Sequence, residues 1–390
     1  MHRKSVLHVC HLDKFIPPFI ELARNKLQDV DNTFFLAGDL QKYHVALGKD
    51  TIYCESGLWR YLMLIYHLNI SKKIILHGLF NPLVILLLFF QPWLLKKCNW
   101  VVWGGDLYSY RADIEKRGIF SKIKIFMKSF VIRNLAGLVT YIKGDYDLAK
   151  EWYGVRGRYI ECIMYTSNVY KEINVPPKQD GKKTFLIGNS ADPSNNHLEI
   201  ISKLSAIKDQ NIRIICPLSY GDMYYAQEIT KAGHDVFGEK FEPLLNLLSL
   251  DEYLKVLADV DIAIFAHKRQ QAMGNTITLL GMGKMVYIRK DTTTWDFLKS
   301  INISVEDFDC VDYLKENGFL YENFAFPFTD FEVKKDFFEE KENKDALLEM
   351  IAEQYAPKIT SFINEQPFIS SLLVFISLLL LVNSFNLLTV

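Results

Sequence analysis

Short apolar runs alternate with helix-like stretches through the first half of this 390-residue chain, and after one break the same alternation starts again. That rhythm points to parallel strands joined by crossover helices, because a strand returns parallel to its neighbour only over a connection long enough to hold a helix. In the first half, strands are expected at residues 5–10, 33–37, 51–54, 73–77, 99–103, 137–141 and 159–163, with helices at 19–28, 57–68, 83–95, 120–134 and 145–153. The break is Asn-Val-Pro-Pro-Lys-Gln-Asp-Gly-Lys, where Pro176 and Pro177 forbid a helix and Asp180 with Gly181 makes a turn. Beyond it, strands are expected at 184–187, 212–217, 235–237, 262–265 and 285–288, and helices at 196–207, 222–232, 250–258 and 275–282. A chain of this length exceeds one hydrophobic core. It therefore reads as an N-terminal Rossmann-like domain (residues 1–173), a linker (174–183), a second Rossmann-like domain (184–345), a charged helix packing back on the first domain (346–365) and a hydrophobic tail (366–390).

Charge and cysteine usage exclude some functions. Lys plus Arg against Asp plus Glu is 45 against 46, which argues against a nucleic-acid binder held by a basic field. The six cysteines lie far apart with no C-x-x-C pair, and read as reduced core thiols, with neither a zinc site nor a disulfide frame. No signal peptide is expected, since the first apolar run is too short. Two segments suggest a membrane. Residues 366–390 carry no charge and are long enough to span a bilayer, or else to dock as a terminal helix. Residues 116–133 carry six Lys or Arg and no acid, interleaved with Ile, Phe, Met and Val, as in a basic amphipathic helix lying on an anionic leaflet or one packed on the core with a solvated basic face. The apolar stretch 83–95 is too short to span and reads as a buried helix.

In an open α/β sheet the ligand sits at the carboxyl ends of the strands. His8, His11 and Asp13 lie in or after the first strand, His77, Gly78, Asn81 and Pro82 end and follow the fourth, and Gly104, Gly105, Asp106 and Tyr108 follow the fifth. In the second half, the strand 262–265 delivers His267, Lys268, Arg269, Gln270 and Gln271 to its end. Gly274 then permits close backbone approach, and Asn275 or Thr276 can cap the next helix. The first loop of the second domain, Gly188-Asn-Ser-Ala-Asp-Pro-Ser-Asn-Asn-His197, is glycine-started, rich in hydroxyls and amides, and runs into a helix. Helix starts beside a cation suit phosphate, and two of them in one domain suit a diphosphate. Asp259 with Asp261, Asp145 with Asp147 and Asp307 with Asp309 have metal-pair spacing but are read as structural. No metal or other cofactor is called for.

The segment from Gly274 to Val286 resembles the nucleotide-sugar loop and helix of the GT-B glycosyltransferases, whose two Rossmann-like doubly wound domains face a cleft. More narrowly, His-Gly-Leu-Phe-Asn-Pro (His77 to Pro82), Trp-Gly-Gly-Asp-Leu-Tyr (Trp103 to Tyr108), the Gly188 to His197 loop, Pro-Leu-Ser-Tyr (Pro217 to Tyr220) and Arg-Gln-Gln-Ala-Met-Gly (Arg269 to Gly274) resemble the TDP-4-acetamido-4,6-dideoxygalactose (Fuc4NAc):lipid II transferase family of enterobacterial common antigen synthesis, glycosyltransferase family 56. The resemblance covers about residues 6–320. Ala272 and Asn275 stand where that pattern would carry Gly and Thr.

The resemblance implies a nucleotide-diphosphate sugar donor and a polyprenyl-diphosphate-linked saccharide acceptor, used at the cytoplasmic face of a bacterial inner membrane. Gly188, Asn189, Ser190, Asp192, Ser194, Asn195, His197, Tyr220, Arg269, Gln270, Gln271, Gly274, Asn275 and Thr276 are the expected donor-binding residues. Asp13, with Asp106 second, is the expected base for the acceptor hydroxyl; His8, His77 and Asn81 are expected on the acceptor side, and Lys122, Lys124 and Lys128 at the anionic membrane surface. Two other readings remain open at this point: a sugar-nucleotide epimerase of GT-B layout, and a non-catalytic sugar-nucleotide-binding protein of an envelope assembly complex.

Overall fold

The computed structural model describes residues 4–54, 57–116, 118–165 and 181–314. The expected helix at 346–365, the tail at 366–390 and most of the linker lie outside the described residues. The chain divides into two compact units, each built on its own parallel sheet.

In the first unit, β1 (Lys4–His11), α1 (Ile16–Lys26), β2 (Val30–Ala37), β3 (Thr51–Tyr53), α2 (Leu58–Ile70), β4 (Lys73–His77), α3 (Pro82–Phe90), β5 (Cys98–Val101), α4 (Gly105–Glu115), α5 (Ile119–Asn134), β6 (Gly137–Val139), α6 (Lys143–Tyr153) and β7 (Arg158–Ile160) follow in order. In the second come β8 (Lys183–Ile187), α7 (His197–Leu204), β9 (Ile212–Pro217), α8 (Met223–Phe237), β10 (Phe241–Leu244), α9 (Leu250–Asp259), β11 (Ile262–Phe265), α10 (Met273–Gly281), β12 (Met285–Ile288), α11 (Thr293–Ser300) and β13 (Glu306–Asp307).

The first sheet runs β3-β2-β1-β4-β5-β6-β7 and the second β10-β9-β8-β11-β12-β13, and every pairing is parallel. In each, the winding reverses beside the first strand, between β1 and β4 and between β8 and β11. These are the topological switch points, where the loops on either side diverge and leave a crevice. Helices cover both sheet faces, so central strands are buried at every position, as in β5, β11 and β12, and apolar apart from Asn99 in β5. Trp100 and Tyr153 fill the first core, Phe185 and Tyr287 the second.

Three stretches depart from the expected pattern. The helix expected at 83–95 ends at Phe90, because Pro92 keeps Gln91 out of helical geometry, and residues Pro92–Lys97 form a 3-10 turn. The strand expected at 235–237 is the last turn of α8, whose buried Ala226, Ile229, Gly233 and Phe237 hold helical spacing until Gly238, at φ +58°, stops it. The true strand there is β10, whose Phe241 ring lies where a side chain on Gly233 would be. The glycine-aspartate stretch after β5, where no helix was expected, opens α4, with Gly104 at φ +82° turning the chain into it. Among the described residues no helix is long and apolar enough to cross a membrane.

Candidate active site

The second unit's switch point is built from the loops after β8 and β11. Gly188 adopts φ +64°, and a Cβ there would lie 2.2 Å from His197 Nε2, so only glycine lets the chain turn beside that ring. Asn195, fully buried, ties the loop together: its Oδ1 accepts from the Asn189 amide (2.8 Å) and from His267 Nε2 (2.8 Å), and its Nδ2 donates to the Asp192 carbonyl (2.9 Å). Asp192 caps the following 3-10 turn through the Ser194 amide (2.8 Å), and Asn196 reaches the Ala266 carbonyl (2.7 Å) on the loop after β11. Arg289 also donates to Ala266 (3.0 Å) and is paired with Glu199.

This architecture corrects several donor assignments. Gly188, Ser190, Asn195 and His197 are buried in the loop's own framework rather than turned outward. Thr276 is likewise buried, its hydroxyl on the Ala272 carbonyl (3.1 Å), and Asn275 donates to the Tyr253 hydroxyl (2.8 Å) instead of capping α10. Gly274 lies in the first helical turn rather than in a loop. The helix cap is Ala272, at φ +58°, and it offers no side-chain acceptor. The first amides of α10 are thus left without a side-chain cap.

What the loops do turn outward is a chain of half-buried polar groups. Arg269 donates to the Ser194 hydroxyl from Nε (3.3 Å) and Nη2 (3.2 Å), and its guanidinium lies 3.5 Å from Asp192. Ser194 donates to Gln271 (2.8 Å), Gln271 to Asn189 (3.0 Å), and Asn189 to the Tyr220 hydroxyl (3.2 Å). Gln270 stands half-exposed on the same loop. Thus Asn189, Asp192, Ser194, Tyr220, Arg269 and Gln271 are brought together beside the open start of α10. Burial drives His197 down to about 4 and, with Arg269 adding to it, His267 well below the ordinary imidazole range. Both histidines are therefore neutral at pH 7, and the site's positive charge comes from Arg269 and the helix start.

The first unit's switch point holds Asp13, just after β1, and the loop 78–81 after β4. Asp13 is half-exposed, and among the described residues its carboxylate accepts only from the Phe15 amide (3.3 Å). Asp106, the second candidate base, is instead a buried anchor. It accepts from Leu79 N (2.9 Å), Trp100 Nε1 (2.7 Å), Trp103 N (3.0 Å) and Leu107 N (3.0 Å), which leaves it no capacity to take a proton from an acceptor.

His8 and His77 are also walled off from any acceptor. They belong to a buried chain of hydrogen bonds that sequence reasoning missed, because its members are scattered over five segments. Asn32 Nδ2 faces the Leu27 carbonyl (3.4 Å), so its Oδ1 accepts from His8 Nε2 (3.1 Å). Burial lowers His8 to about 4 and His77 well below its ordinary range, so each neutral ring has one donor and one acceptor. His77 Nε2 then donates to His8 Nδ1 (3.0 Å), the Tyr165 hydroxyl to His77 Nδ1 (2.7 Å), and the Trp103 indole to Tyr165 (2.6 Å). Asn81 is spent as the α3 cap, accepting from Leu83 N (2.9 Å).

The expected membrane lysines divide as well. Lys128 is buried, donating to the Asp106 carbonyl (2.5 Å) and the Ser109 hydroxyl (2.8 Å), so it faces inward. Lys124 pairs with Asp113 (2.9 Å), and Lys122 is exposed. The outer face of α5 is mixed: Ile119, Phe120, Ile123 and Phe126 are solvent-exposed, Phe120 at 71%, alongside Lys122 and Lys124.

Two doubly wound parallel sheets, each with its loops at a switch point and the second with an open helix start beside an arginine, define a glycosyltransferase of the GT-B class. The chain belongs to glycosyltransferase group 56: the family model described as 4-alpha-L-fucosyltransferase glycosyl transferase group 56 matches residues 19–313. Solved structures share the fold at low sequence identity. A glycosyltransferase from Rickettsia africae superimposes with a TM-score of 0.60 at 14% identity, over 90% of this chain and 98% of that one. HepE from Anabaena, solved in complex with UDP and glucose, gives 0.63 at 11% identity over 90% and 100%. Sucrose-phosphate synthase from Thermosynechococcus elongatus gives 0.63 at 10% identity over 90% and 98%.

Proposed function

We propose that this glycosyltransferase moves a deoxyamino sugar, Fuc4NAc or a close relative, from a TDP-sugar to a polyprenyl-diphosphate-linked saccharide, in the assembly of a bacterial surface polysaccharide such as enterobacterial common antigen or O-antigen. The observation that carries this reading is the Arg269–Ser194–Gln271–Asn189 array beside the open start of α10. A leaving diphosphate gains negative charge as the glycosidic bond breaks, and a fixed guanidinium with unpaired helix amides is suited to receive it. HepE, of the same fold, binds UDP and glucose, which supports a nucleotide-sugar donor here. The five motifs shared with the Fuc4NAc transferases support the sugar and the lipid-linked acceptor.

In this mechanism the acceptor hydroxyl oxygen attacks the anomeric carbon, the bond to the diphosphate oxygen breaks with its electron pair leaving on the nucleotide, and the hydroxyl proton passes to Asp13. Asp13 suits the role because its carboxylate is open at the end of β1 and has acceptor capacity to spare. The exposed apolar side chains of α5, set among Lys122 and Lys124, support work at the cytoplasmic face of the inner membrane, where a polyprenyl chain stays embedded while its headgroup is glycosylated.

The test is incubation with radiolabelled TDP- or UDP-amino sugars and a polyprenyl-diphosphate disaccharide, scoring label in the butanol phase. Transfer is expected with a TDP-deoxyamino sugar, and binding without transfer for every donor would overturn the reading. Arg269→Ala should raise the donor KM by about tenfold or more, the loss of one charge-assisted contact. Asp13→Asn should lower kcat by about a hundredfold or more with donor affinity kept, and full activity in that variant would remove Asp13 from the mechanism.

A further inference from the structure

Phe80 is 52% exposed, on the loop that leaves β4 at the first sheet's switch point. A large aromatic ring in water is ordinary on a loose loop, but this loop is fixed along its length. The Gly78 amide donates to the carbonyls of Leu76 (3.0 Å) and Val101 (3.1 Å), the Leu79 amide donates to Asp106 (2.9 Å), and Asn81 closes onto α3. Gly78 has φ +82°, and a Cβ there would lie 2.8 Å from the Phe80 ring, so the ring rests against bare backbone.

Beside it stands Trp103, half-buried, with its amide held by Asp106 (3.0 Å) and its indole nitrogen by Tyr165 (2.6 Å). The Phe80 and Trp103 ring centroids are 5.9 Å apart at 74°, and Trp103 meets Phe15 edge-on at 5.7 Å and 90°. The Phe15 amide in turn donates to Asp13. Buried Asp106 thus holds the backbone of Trp103 and that of Leu79, the residue before Phe80, and the corner the two rings make is bordered by an open carboxylate.

A rigid apolar surface held in water marks a binding site, and the polar group at its edge narrows the ligand. A pyranose ring offers C–H groups on one face, which pack on an aromatic ring, and hydroxyls around its rim, which a carboxylate accepts. A lipid chain would cover the rings but leave the Asp13 carboxylate against hydrocarbon at a desolvation cost. We propose that Phe80 and Trp103 form a stacking platform that seats the terminal pyranose of the acceptor, with Asp13 at its rim. The proposal rests on the reading of the acceptor as a saccharide.

The experiment is saturation-transfer NMR on the full chain, irradiating aromatic protons in the presence of methyl pyranosides of the gluco, galacto and manno series and their 2-acetamido forms, with geranyl phosphate as a separate arm. At least one pyranoside should receive saturation in the wild type, lose it in Phe80→Ala and in Phe80→Leu, which keeps an apolar side chain without a ring, and keep it in Phe80→Trp. No pyranoside signal that depends on Phe80, or a Phe80-dependent signal to geranyl phosphate alone, overturns the platform. In the transfer assay, Phe80→Ala should raise the acceptor KM by about tenfold and leave the donor KM unchanged; equal effects on both would also overturn it. Pyranoside binding without transfer by the wild type would sink the transferase reading and leave the platform standing.

Discussion

Asp106 and Asp13 look alike in the sequence, each an acid just beyond a strand that points at the sheet rim, yet they have opposite fates. What separates them is the convergence of two backbone amides and an indole from other segments on Asp106, together with the amide of its own neighbour Leu107. No local pattern records such a convergence. The position of Arg269 beside the start of α10 could be expected because it lies four residues ahead of that helix, where charge has a direct electrostatic meaning. Asn195 and His197 were misread for the converse reason: amides and imidazoles serve ligands and loop frameworks equally well, and burial decides which. Ala272 carries a prediction of its own. It sits at φ +58°, where a Cβ costs on the order of 1–2 kcal/mol and glycine costs nothing. Ala272→Gly should therefore stabilise the chain by about 1 kcal/mol, seen as a rise in Tm of roughly 2–4 °C by calorimetry. An unchanged or lower Tm would show that the left-handed cap is unstrained.

At the scale of elements, α5 was readable as amphipathic but not as to which stripe faces in. The buried Lys128 ammonium finds a carbonyl and a hydroxyl beneath it, and burial lowers its pKa while Asp106 and Asp113 oppose that shift. The outward face therefore sets four apolar side chains, Ile119, Phe120, Ile123 and Phe126, beside Lys122 and Lys124. If that face meets a bilayer, binding is dominated by apolar insertion. Phe120→Ser with Phe126→Ser should cut sedimentation with anionic vesicles by about tenfold or more, in low salt and in high. Lys122→Ala should have an effect of about threefold that disappears in high salt. Vesicle binding that follows Lys122 and ignores the phenylalanines would reverse this assignment. The slip from 235–237 to β10 has a different origin: Asp-Val-Phe fits either period, and only the glycine at 238 ends the helix.

On the whole-molecule scale, the alternation of runs was enough to expect two parallel sheets, since it reflects crossover geometry rather than any one contact. Strand order and the buried histidine chain were beyond reach, because both depend on pairings between distant residues. Those histidines give the fold an acid limit. His8 and His197 fall from an ordinary 6.5 to about 4 through burial, and His77 and His267 fall in the same direction. The folded state prefers them neutral, so their contribution is fully present above the unfolded value near 6.5 and is lost as pH falls toward the folded one near 4. For His8 or His197 alone, that fall corresponds to on the order of 3 kcal/mol. The urea midpoint should decline steadily between pH 6.5 and 4; a flat midpoint across that window would mean the rings are not buried neutral.

Tyr165, the hydroxyl at the end of the buried chain, also has a meaning in time. No strand of the first sheet among the described residues comes from beyond Ile160, and Tyr165 follows it by five positions in the printed order of the chain. A ribosome adds residues from the N-terminus, so among the described residues of the first unit this side chain is one of the last to be made. Its partners come from well before it in the chain: His8 and His77, 69 residues apart, lie side by side on β1 and β4, and Trp103 turns off the end of β5. The tyrosine finds these partners together only on a sheet wound in the right order, so its hydrogen bonds act as a check on the assembly of that sheet.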